Sequence, residues 1–187
     1  FGTLQRNTQI FYEHNVKGIY QQGIFYIAEC DAEFAELKNY LLVKLMQNPY
    51  MDFYNEMDGY LLAVYGPGGK YLREFIDIIT SHAVTKYKHL YIEEDSRFSL
   101  PNMSVKDVER CDELWKMAKA EAENEQQLSR ILRSELSWRY WKCSNSRSEF
   151  SLLQHPYLWM KARKDLYNDL VDMGVTRMGE RTGHYLS

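Results

Sequence analysis

No apolar run in this chain comes near the ~18 residues a membrane-spanning helix needs, so a span of that kind is excluded. Cysteine is sparse. Cys30, Cys111 and Cys143 lie far apart, with no Cys-x-x-Cys or Cys-x-x-His spacing, which argues against both a zinc site and a disulfide framework. They read as free, mostly buried thiols. An excess of positive charge is also missing: 23 Lys and Arg are interspersed with 26 Asp and Glu, for a net charge of −3. No basic stripe is left to neutralise phosphates, so nucleic acid is not an expected partner. The histidines, His14, His82, His89, His155 and His184, show no His-x-x-x-His spacing, so neither a metal nor a cofactor is expected. Gly66-Pro67-Gly68-Gly69 follows a helical pattern and lacks the Gly-Lys-Ser/Thr end of a phosphate loop, which makes it a turn. No signal peptide opens the chain, and Phe1 stands where an initiator Met would. This suggests a processed or excised segment, in which case the missing leader says nothing about compartment.

Strand-like sequence is scarcest of all. Lys17-Gly18-Ile19-Tyr20-Gln21-Gln22-Gly23 is the one run that reads as a buried strand. A lone strand leaves its backbone N–H and C=O groups without partners, and sheets of roughly three or more strands are needed for stability in water. The partner strands are therefore expected before Phe1. Without them the run should be irregular or pair with another copy of the chain, unless neighbouring helices cover it.

What is present is helical periodicity and aromatic mass. At 187 residues the chain suffices for one good core or two small ones. Residues 3–15 predict a helix ending at Asn15, with Leu4, Ile10, Phe11 and His14 near one face. Asp31 is the expected N-cap of a helix running to Gln47 through Phe34, Leu37, Leu41 and Leu45, and Asn48-Pro49 stops it. A helix from Asp52 to Tyr65 and another from Pro67 to His89 flank the glycine-rich turn and must pack on each other. Residues 90–103 read as a connection. Ser104 with Asp107, and Asn124 with Gln127, mark two more helix starts, reaching Glu123 and Cys143. The last helix opens at His155-Pro156, buries Trp159, Ala162, Leu166, Leu170 and Met173, and ends at Gly174. Residues 175–187 lack apolar periodicity and read as a frayed tail. The expected fold is mainly α, a multi-helix array with one leftover short strand at Lys17–Gln22.

Three stretches carry a resemblance. Asn15 to Gly23 resembles the motif around the last barrel strand of domain-of-unknown-function family 4838, a glycoside-hydrolase-like family. Leu37 to Pro49 looks like that family's next helix, and Tyr65-Gly66-Pro67 through Tyr71-Leu72-Arg73-Glu74-Phe75 like its following helical hairpin. The likeness covers residues 5–80 and is loose beyond. It implies a truncated (β/α) barrel whose final helix-strand-helix piece is residues 1–48, followed by a C-terminal helical domain at 49–187. It further implies carbohydrate chemistry in a larger protein, an upstream barrel as partner, an oligo- or polysaccharide as ligand, and a periplasmic or extracellular location.

A glycosidase needs two carboxylates, ~5–5.5 Å apart when retaining and ~6.5–9.5 Å when inverting. The family pattern carries Glu-Gln-Gly at the strand end, but position 21 here is Gln, so no catalytic residue is assigned. Gln21, Gln22 and Glu29 are the expected substrate-binding residues, the amides as hydrogen-bonding partners for sugar hydroxyls. Glu29, Asp31 and Glu33 otherwise read as solvated charges near a helix start. Trp138, Tyr140 and Trp141 read as core packing rather than a sugar platform. Two other readings stay open: a helical protein–protein interaction module, and a self-standing sugar-binding domain.

Overall fold

The apolar spacing of the sequence becomes helix packing in the computed structural model, which describes residues 1–20, 34–85, 103–144 and 156–175. The regular elements are α1 (Leu4–Glu13), α2 (Ala35–Gln47), α3 (Phe53–Tyr65), a 3₁₀ turn (Gly66–Gly68), α4 (Gly69–Thr85), α5 (Val105–Ala120), α6 (Glu125–Ser144) and α7 (Pro156–Asp172). The protein is mainly α, and no strand occurs among the described residues.

The caps explain why the helices start and stop where they do. Asp52 accepts from Asn55 N at 3.1 Å and opens α3. Ser104 accepts from Asp107 N at 3.1 Å and opens α5. Asn124 accepts from Gln127 N at 2.9 Å, while Gln127 Oε1 reaches back to accept from Glu123 N at 3.0 Å, a reciprocal capping arrangement for α6. At the other ends, Asn15 (φ 55°) and Gly174 (φ 67°) take left-handed backbone. Val16 N donates to Phe11 O and Asn15 N to Tyr12 O; likewise Val175 N donates to Leu170 O and Gly174 N to Val171 O. Both sets are the paired bonds of a Schellman ending, which satisfy carbonyls a helix would otherwise leave open.

The main core lies between α2 and α6. Leu37, Leu41 and Leu45 of α2 meet Phe53, Met57, Leu61 and Tyr65 of α3, Leu72, Phe75, Ile76 and Ile79 of α4, Val108, Cys111, Leu114, Trp115 and Ala118 of α5, and Ile131, Trp138 and Trp141 of α6. α4 packs on α3 and α5, α3 also on α2 and α6, and α1 lies against α2. The glycine turn lets α3, α4 and α5 approach closely. A Cβ on Gly68 would lie 2.6 Å from Ala118 O, and one on Gly69 2.6 Å from Leu61 O. α7 lies apart from this core. Its Leu166 and Leu170 form a second cluster with Leu136 and Cys143 of α6, joined by Val175.

The structure departs from the sequence reading at several points. α2 begins at Ala35, and Phe34 rather than Asp31 precedes it, with left-handed backbone (φ 48°). Burial holds Phe34 in that disfavoured conformation: its ring stacks on Trp115 at 6.0 Å and lies against Tyr65 and Phe75. Lys17–Tyr20 is exposed and forms no strand, the irregular outcome expected of a strand without partner strands. α5 ends at Ala120, three residues before Glu123. His14 and Ala162 are exposed, although their spacing put them on buried faces. The connection at 90–102, the tail beyond Val175 and the C-terminal end expected of α4 lie outside the described residues.

Candidate functional site

Gln21, Gln22 and Glu29, the residues the sequence singles out for substrate, lie outside the described residues. The structure does describe the approach to them: α1, the exposed run 16–20, and the turn between α2 and α3. α1 is seated on that turn by two amides one helical turn apart. Gln5 Nε2 donates to Met51 O at 2.8 Å and to Pro49 O at 3.3 Å, and Gln9 Nε2 donates to Pro49 O at 3.2 Å. Pro49 is there because it ends α2, so the element that stops one helix also supplies the acceptor that docks another.

This seating brings two distant tyrosines together. Tyr12 and Tyr50 meet edge to face at 6.0 Å, and Tyr50 Oη donates to Glu13 Oε1 at 3.2 Å. Burial against its neighbours, then that hydrogen bond, pushes the Tyr50 phenol up. Arg6 Nη1 closes on Glu13 at 3.2 Å. Tyr12 is 65% exposed and Tyr50 57%; farther along the chain Val16 and Tyr20 are exposed as well. Apolar ring faces beside a carboxylate and a guanidinium can hold a sugar or receive another protein surface. Glu13 already accepts from both Arg6 and Tyr50, so its bonding here is structural. Sequence reading missed the patch because residues 12 and 50 belong to different elements. The visible signal was the Gln5/Gln9 pair, at the i, i+4 spacing that puts both amides on one face.

Other polar constellations resolve into fasteners between helices. Ser104 Oγ donates to Asp107 Oδ2 at 2.6 Å, and His82 Nε2 lies 3.1 Å from the same oxygen. Here the carboxylate stands between the hydroxyl and the imidazole, whereas nucleophilic catalysis needs the imidazole next to the hydroxyl. Hydrogen bonds from Ser104 and then His82 hold Asp107 below the usual carboxylate range. Two Tyr–Glu–Lys groups repeat one design. Tyr40 Oη donates to Glu56 at 2.8 Å with Lys44 3.3 Å away, joining α2 to α3. Tyr71 Oη donates to Glu121 at 2.5 Å with Lys70 2.8 Å away, joining the start of α4 to the end of α5.

Trp138 and Trp141 are buried and stacked on each other at 5.0 Å. Trp138 Nε1 donates to Asp112 at 2.7 Å, so these rings are core, as read from the sequence. Burial pushes the Cys111 thiol up to about 12 and also raises Cys143, which removes both as thiolate nucleophiles. Among the described residues no group of three or more His, Cys, Asp and Glu side chains is placed to hold a metal ion, and no helix is long and apolar enough to cross a membrane.

Residues 1–77 match the family described as a domain of unknown function (DUF4838). The matched stretch runs from α1 into α4 and stops short of α5, close to the extent of the resemblance carried by the sequence motifs. No curated protein and no solved structure matches the chain.

Proposed function

We propose that this chain is the helical region of a carbohydrate-active, glycoside-hydrolase-like protein, where it braces a (β/α) barrel and lines the rim of the substrate cleft without being catalytic alone. The observation that carries this reading is the family match over residues 1–77, which spans α1, the 16–20 run and the helices that follow. In this reading residues 1–48 are the end of the barrel and 49–187 the helical domain. Gln21, Gln22 and Glu29 are its substrate-binding residues. The exposed Tyr12/Tyr50 patch borders the seam where barrel and helices meet.

Two measurements test it. The coding sequence upstream of Phe1 should encode a run of alternating strand and helix patterns; its absence removes the barrel. The purified chain should not hydrolyse aryl glycosides or polysaccharides, and robust turnover would show a complete active site within these 187 residues. A second reading, a self-standing sugar-binding domain, draws on the exposed Tyr12 and Tyr50 rings. Trp115, Trp138 and Trp141 are buried, so those rings are poor reporters of it. Calorimetric titration with oligosaccharides is the direct test, with loss of binding in Tyr12→Ala and Tyr50→Ala expected if the patch is the platform.

A further inference from the structure

We draw no further inference here: the strongest candidate, the exposed apolar face of α7 that carries Tyr157, Met160, Tyr167 and Val171, supports none because nothing in the structure shows what covers it.

Discussion

Gly68 and Gly69 set how closely three helices meet, and the glycines of this chain divide sharply by what surrounds them. The atoms facing a Cβ on Gly68 and Gly69 are backbone, Ala118 O and Leu61 O at 2.6 Å each, and backbone cannot swing aside as a side chain can. Alanine is a better helix former than glycine, so propensity alone would make Gly69→Ala stabilising by about 0.5–1 kcal/mol. Overpacking of this kind costs about 1–3 kcal/mol and should win. Gly69→Ala and Gly68→Ala are both expected to lower the urea midpoint. A Cβ on Gly59, inside α3, would meet nothing within 4 Å, and Gly59→Ala should raise the midpoint through the same propensity gain. If all three substitutions moved it in the same direction, close approach would not be what these glycines are for.

At the scale of elements, the helices are fastened by caps and by partly exposed ion pairs, and each fastener has a measurable signature. Ser104→Ala and Asn124→Ala should each cost about 1 kcal/mol in denaturant unfolding, because each removes an acceptor for an otherwise open backbone N–H. The hydrogen bond from Tyr40, then Lys44, holds the Glu56 carboxyl below its ordinary 4.5. A carboxyl depressed in the folded state contributes stability that is present above pH 4.5 and is lost as pH falls through its folded value. Tyr40→Phe should therefore move the Glu56 titration upward, read by NMR, and make stability less sensitive to pH below that range. An unmoved Glu56 would mean that the α2–α3 clasp does not form in solution. Most of these elements were legible in the sequence, because caps and helix stops are local: Asp52, Ser104, Asn124, Asn48-Pro49 and Gly174 each act within a few residues. The start of α2 was not. Phe34 takes left-handed backbone because Trp115, Tyr65 and Phe75 enclose its ring, and those partners are 31 to 81 residues away in the chain. The Tyr12/Tyr50 patch was hidden for the same reason, and the run at Lys17 read as a strand because its alternation is local while the strands that would hold it are not among the described elements.

Across the whole molecule, the separation into two apolar clusters implies two levels of stability. The main core joins α2 through α6 around Trp115 and Phe75, whereas among the described residues α7 is held by a cluster of five buried side chains shared with α6. A unit with few buried contacts opens at lower free energy than the global transition, and its amides exchange sooner. Hydrogen exchange should show α7 losing protection before α3, α4 and α5. Leu170 is buried in the smaller cluster and its neighbour Val175 depends on it through the Schellman ending. Leu170→Ala should remove about 2–5 kcal/mol of packing at that site, lowering protection across α7 while the amides of α4 and α5 keep theirs. Met57→Ala, in the main core, should do the opposite, reducing protection throughout. Equal losses from both substitutions in every helix would make the array one cooperative unit.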